Sequence, residues 1–239
     1  ALAARLAWHY PHGAEVELPS KLTATQLKGR ALDGEVAEGT RESGQRGEAE
    51  PEPRRRAFHQ RPRFAQEAFG LTPAQRGTAL HLAMQYVSLE GDHSVDSIRQ
   101  QLDQLTEEGY LTALQREAVQ PERLAAFFAS ELGQELLSAR EVGREFKFSL
   151  LVPAKTYFPD AGEEEILLQG VIDAWFDDGT GVTVVDFKSD RIRPGGEDAA
   201  AERHRIQIEA YSQALERILD RPVKRKALWF FATDTAKEL

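Results

Sequence analysis

The sequence predicts an α/β fold: a mixed central β-sheet flanked by helices, with a helical insertion packed on it. Three observations lead there. Apolar spacing is helical from about residue 72 to 132 and then switches to period-two alternation. Turn formers cluster at Asp177-Asp178-Gly179-Thr180-Gly181 between two β-rich runs, which marks a hairpin. A helical stretch, Ala200–Leu219, then separates that hairpin from one more β-rich run, Val223–Phe231.

Taken in order, residues 1–10 (ALAARLAWHY) have the spacing of a short helix stopped by Pro11 and Gly13. Thr23 with Gln26 three residues on is a capping-box pair that opens a second short helix. Residues 1–30 therefore read as an N-terminal helical segment leading in from a preceding domain. Residues 31–65 are dense in Gly, Glu, Arg and Pro and nearly free of large apolar side chains, so they cannot bury enough surface to offset chain entropy and read as a flexible charged linker. Within them, Arg54-Arg55-Arg56 is a solvated charge run before it is a phosphate-binding patch.

Residues 66–239 form the main domain. Thr72 as N-cap and Pro73 at the first helical position start a helix running to about Leu89, with Leu80, Ala83, Met84 and Val87 as its apolar stripe. His81 lies beside that stripe, and Gln85 follows one turn later. Helical patterns at Ser94–Glu108, Thr112–Val119 and Pro121–Leu132 make up the insertion. Arg144–Val152 alternates polar and apolar and is a strand, as are both hairpin arms and Val223–Phe231.

Composition limits the chemistry. With 239 residues, 41% hydrophobic and 29% charged, the chain suits a globular domain. No apolar run approaches the roughly 20 residues of a membrane-spanning helix, and nothing resembles a signal peptide. The absence of Cys rules out disulfides, thiolate zinc sites and cysteine-ligated iron–sulfur clusters, so any metal must be held by oxygen and imidazole. The formal net charge of -9 weighs against an extended groove of Lys and Arg. Carboxylates that bind divalent cations nonetheless add to that count while serving phosphate chemistry. The start at Ala1, directly into a helical pattern, reads as a piece of a longer chain.

The chemistry concentrates in the hairpin. With Gly179 and Thr180 at its tip, Asp173 falls opposite Asp186, and alternation puts Lys188 on the same face. Asp-x-Lys at a strand end is commonly a solvated charge pair. Here Asp173 lies within Gly-Val-Ile-Asp-Ala-Trp and Asp186 follows Thr-Val-Val, apolar settings in which an uncompensated charge is costly. Oxygen ligands of this kind suit Mg²⁺ or Mn²⁺, and a neighbouring lysine can orient water or offset charge in phosphoryl transfer. Glu145 reads first as a solvated strand end, with support of the metal through water as the alternative. Arg191, Arg193, Arg203 and Arg205 flank the hairpin exit, either as phosphate contacts or as solvated surface.

Four motifs in order, Arg76-Gly-Thr-Ala-Leu-His81, Gly170-Val-Ile-Asp173, Val185-Asp186-Phe187-Lys188-Ser-Asp190 and Gln207-Ile-Glu-Ala-Tyr211, resemble the PD-(D/E)XK nuclease superfamily. The likeness runs from about Gln75 to the C-terminus and is greatest to the RecB-like branch, in particular the C-terminal nuclease domain of AddA-type helicase–nucleases. Leu18–Lys28 also resembles the stretch that precedes that domain. The resemblance implies a restriction-endonuclease-like core in which His81, Asp173, Asp186 and the Phe187 carbonyl ligate a metal. Lys188 would be the catalytic lysine, and Gln207 and Tyr211 would line the site and support it. Phe187 and Ser189 stand where Tyr and Thr are commoner.

The expected function is Mg²⁺-dependent DNA hydrolysis, with Mn²⁺ as a substitute, by an exonuclease attached to an ATP-driven helicase that processes double-strand breaks for recombination repair. The implied partners are DNA, the helicase portion of the parent chain and a second, AddB-like subunit, in the bacterial cytoplasm and without a membrane. The chain contains no Gly-x-x-x-x-Gly-Lys-[Ser/Thr] phosphate loop, which places any motor outside it. The alternatives are a non-catalytic DNA-binding or docking module of the same fold, and a hydrolase of small phosphate esters.

Overall fold

The structure is a computed structural model and describes residues 18–27, 70–159, 161–190 and 192–239. The helix expected over residues 1–10, the charged linker and Arg191 lie outside the described residues. The described residues form one mixed sheet of six strands flanked by seven helices. In chain order these are β1 (Lys21–Thr23), α1 (Ala24–Leu27), α2 (Pro73–Tyr86), α3 (Val95–Glu107), α4 (Ala113–Ala118), α5 (Pro121–Ala129), α6 (Glu131–Ser138), β2 (Glu141–Pro153), β3 (Glu165–Asp177), β4 (Val182–Lys188), α7 (Glu197–Leu219), β5 (Val223–Phe230) and β6 (Thr235–Glu238). None of the described helices is long and apolar enough to cross a membrane.

The local signals hold. Thr72 and Thr112 each form a complete capping box with the glutamine three residues on, and Ser94 caps α3. The Thr23–Gln26 box is also formed, yet Lys21–Thr23 before it is a strand that pairs in parallel with Leu167–Gln169 of β3. Leu22, Ala24 and Leu27 are buried in the core, so this segment packs with the residues that follow the linker. The stretch expected as one helix from Pro121 breaks at Ser130. The Ser130 hydroxyl donates to the Phe127 carbonyl and accepts from the Gly133 amide, closing α5 and opening α6. Only glycine fits at 133, because a Cβ there would stand 2.0 Å from the Phe127 carbonyl oxygen.

β3 organises the sheet. β2 lies antiparallel along one edge over the whole strand. The other edge is shared: β1 pairs with Leu167–Gln169, and β4 pairs antiparallel with Ala174–Asp177. Gly170–Asp173 between them pair with neither β1 nor β4. All seven residues of β4 are buried, as expected of a central strand covered on both faces. β5 pairs with it in parallel through the α7 crossover, and β6 closes the edge. One core layer lies under α2 and the insertion, where Phe127 meets Phe187 and Trp229 edge-on at 5.2 and 5.3 Å. The other lies under α1 and α7.

Candidate active site

The hairpin register pairs Asp177 with Val182 and Ala174 with Val185, and one step further sets Asp173 across from Asp186. There the two strands part. The Phe187 amide donates instead to Asp173 Oδ2 at 2.6 Å, so a carboxylate occupies the position of the next ladder bond. Asp173 Oδ1 meets His81 Nδ1 at 3.1 Å, which brings α2 to the same point.

A reversal of the sheet's alternation creates this junction. Val142, Ala174 and Phe176 pack under α2 and the insertion, whereas Phe146, Phe148 and Ile172 pack under α7. Strict alternation would keep these even-numbered residues on one face. The phase changes at Glu145 on β2 and Asp173 on β3, the one position missing from an otherwise continuous ladder. Glu145 takes a left-handed backbone conformation, φ 49, which costs a non-glycine residue about 1–3 kcal/mol. The reversal turns the Glu145 carboxylate inward. Ligand atoms of His81, Glu145 and Asp173 lie within 4.8 Å of one another. Of the two readings open for Glu145, the structure therefore rejects the solvated strand end.

A second polar group lies on the α7 side. Asp186 and Lys188 are buried and form an ion pair. Lys188 Nζ also donates to Gln207 Oε1 at 3.0 Å, and Gln207 Nε2 donates to Tyr211 Oη at 2.8 Å. Gln207 and Tyr211 are four apart on α7 and share its inner face, where the Tyr211 ring packs edge-on against Phe148. One turn earlier, buried His204 meets Asp190 at 3.3 Å and anchors the chain as it leaves β4. Arg205 pairs with Glu202 on the surface of α7, and Arg193 and Arg203 are exposed.

Electrostatics follow from this packing. Burial, together with the neighbouring Asp173 and despite Lys188, pushes the Asp186 carboxyl up to about 6. Burial also favours neutral Asp173, but His81, the Phe187 amide and Lys188 outweigh it and hold its pKa below the ordinary carboxylate value. For His81, burial disfavours the imidazolium, yet Asp173, Asp186 and Glu145 together raise its pKa. Glu145 is raised by burial and by Asp173, and burial raises the Tyr211 phenol strongly. The site is thus an anionic cluster with one resident ammonium, built of imidazole and oxygen donors.

Residues 52–238 match the model of the PD-(D/E)XK nuclease superfamily. Among curated proteins, the A-type subunit of the ATP-dependent helicase/nuclease from Desulforudis audaxviator is 39% identical over 235 residues, 97% of this chain. The proteins of the same name from Pelotomaculum thermopropionicum and Bacillus cytotoxicus are 39% and 37% identical over 96% and 95% of it. This chain spans 18% of the length of each. A crystal structure of SSO0001 aligns over 72% of this chain and 77% of that one with 14% identity and a TM-score of 0.32, too slight a likeness to add to the fold.

Proposed function

This chain belongs to the PD-(D/E)XK nuclease superfamily, and on that footing we propose that it hydrolyses DNA phosphodiester bonds with a divalent cation, Mg²⁺ or Mn²⁺, held where β3 and β4 part. The observation that carries the reading is the convergence there of two groups, His81–Glu145–Asp173 and Asp186–Lys188–Gln207–Tyr211.

The donor set fits a hard cation: carboxylates and an imidazole within 4.8 Å, with no sulfur ligand. A cation would also return Asp186, whose pKa is pushed up to about 6, to its ionised form. In this reading His81, Asp173 and Asp186 hold the metal, with the Phe187 carbonyl as a further ligand and Glu145 alongside. When bound, the metal supplies Lewis acidity, withdrawing charge from the phosphate and making water acidic enough to attack near neutral pH.

Lys188 carries the positioning. Its ammonium has three donors, of which Asp186 and Gln207 engage two. The third is directed to the attacking water or a nonbridging phosphate oxygen. As the water oxygen bonds to phosphorus and the ester P–O bond breaks, charge accumulates on the phosphoryl oxygens, and the ammonium offsets it. Tyr211 fixes Gln207, and Gln207 fixes Lys188, which lowers the cost of orienting the ammonium for attack.

Residues 66–239 carry the nuclease in this reading, with Lys21–Leu27 built into its sheet. The parent chain supplies an ATP-driven helicase, works with a second, AddB-like protein in the cytoplasm, and resects double-strand breaks as an exonuclease for recombination repair. The shared name of the relatives, and the 18% of their length that this chain spans, support that context. The test is degradation of linear DNA by the parent protein with ATP and Mg²⁺, the nuclease of the AddB-like partner being inactivated. The reading requires loss of degradation in Asp186→Ala; undiminished degradation would overturn it.

A further inference from the structure

His81 reaches Asp173 from a helix that has little else to fix its place. The inner face of α2 is Gly77, Ala79, Leu80, Ala83 and Met84, small and apolar residues whose packing is strong but non-directional. Its remaining side-chain hydrogen bonds are local: Arg76 to the Leu71 carbonyl and Thr78 to the Ala74 carbonyl. Such a face can slide or turn on the sheet at small cost in buried area. A shift of about 1 Å would remove the imidazole from Asp173.

One contact opposes that shift. Arg144 on β2 is half-buried, and its Nη1 donates to the main-chain carbonyls of Met84 at 3.0 Å and Val87 at 2.5 Å. These are terminal carbonyls of α2, whose last turn contains no basic residue of its own. A guanidinium there satisfies orphan acceptors and lies at the negative end of the helix dipole. No carboxylate among the described residues forms an ion pair with Arg144, so its polar contacts are spent on the helix end. Met84 lies one turn beyond His81, and Arg144 adjoins Glu145 and pairs with Ala174, the neighbour of Asp173.

We propose that Arg144 is a positioning residue that sets the register of α2 against β2 and β3, and thereby holds the His81 imidazole at Asp173. The inference rests on the reading of His81 as a metal ligand. Arg144 touches neither the metal position nor the reacting atoms, and it acts through the backbone of α2.

The test is a double-mutant cycle in the full-length parent protein without nucleotide, with Mn²⁺ affinity read by calorimetry. Arg144→Met, which keeps the apolar stem, should weaken Mn²⁺ binding by roughly 10- to 100-fold, as loss of an outer support of a metal ligand does. Arg144→Lys should restore part of the loss. In a His81→Ala background the effect of Arg144→Met should disappear, because the group it positions is gone. Equal weakening in both backgrounds would overturn the proposal and make Arg144 a general stabiliser. If Arg144→Met fails to fold, Arg144→Lys carries the same cycle, with an intermediate loss that His81→Ala must abolish.

A second readout needs no metal. Carbethoxylation of His81, followed by peptide mass spectrometry, should be slow in the wild type, where Nδ1 is engaged with Asp173, and several-fold faster in Arg144→Met. An unchanged rate would overturn the proposal. Absence of Mn²⁺ binding in the wild type would instead refute the metal reading of His81, and carbethoxylation would still decide whether Arg144 positions it.

Discussion

The Phe187 amide donates to Asp173 Oδ2 across 2.6 Å where the β3–β4 ladder ends, so Asp173 is at once a strand terminus and a member of the site. The two roles separate by substitution. Asparagine retains an acceptor for the amide, and alanine does not. Asp173→Ala is therefore expected to be less stable than Asp173→Asn by about 1–3 kcal/mol, the cost of leaving a buried donor unpaired. Both should lose Mn²⁺ binding. Urea unfolding and calorimetry separate the effects, and equal stability of the two variants would deny the structural role.

Tyr211→Phe removes the acceptor of the Gln207 Nε2 bond in a buried setting. It should cost about 1–2 kcal/mol of stability. Cleavage should slow by roughly tenfold, as for loss of an outer support, while Mn²⁺ affinity stays unchanged because no ligand is altered. A change in affinity rather than rate would place Tyr211 at the metal instead.

Glu145 combines a left-handed backbone with a carboxylate turned toward His81 and Asp173. Glycine at this position removes both the strain and the charge. Glu145→Gly is expected to stabilise the metal-free protein by roughly 1 kcal/mol, part of the strain relief being offset by the added freedom of the unfolded chain. Mn²⁺ affinity should fall by roughly tenfold. Destabilisation without any change in affinity would show that Glu145 serves the strand and not the site.

The raised carboxyl of Asp186 gives a pH dependence with a definite sign. Its folded pKa, about 6, lies above its ordinary value of 3.8, so the folded state takes up a proton before the unfolded chain does. Ionisation at neutral pH thus works against the metal-free fold, and that penalty is relieved as pH falls from about 6 toward 4. Relative to Asp186→Asn, the wild type should gain stability between pH 7 and pH 5, measured by urea unfolding in chelator. Parallel pH profiles for the two proteins would contradict the assignment.

The hairpin was legible because its turn formers and apolar arms fix both tip and register, and the register carries Asp173 and Asp186 to facing positions. Gln207 and Tyr211 were legible for a related reason: a spacing of four on a helix is local geometry. Glu145 was not, because its side chain enters the site only through a left-handed residue and a reversal of alternation that depends on two strands together. The one hint is the adjacent pair Arg144-Glu145, two charges in a row where alternation calls for one. β1 and β6, three and four residues long, are too short to show a period. The break at Ser130 turns on a close approach of Gly133 to the Phe127 carbonyl, a tertiary contact that helical spacing does not register.

The central claim is that Lys188 acts on the substrate at a metal centre that the other residues assemble. It is tested most directly by comparing wild type and Lys188→Ala in the parent protein for Mn²⁺ affinity and for single-turnover cleavage of end-labelled linear DNA at saturating Mn²⁺. The predicted result is metal affinity within about threefold of wild type and cleavage slower by at least roughly 100-fold, the scale on which removal of one transition-state donor acts. Cleavage at the wild-type rate by metal-loaded Lys188→Ala would contradict the account.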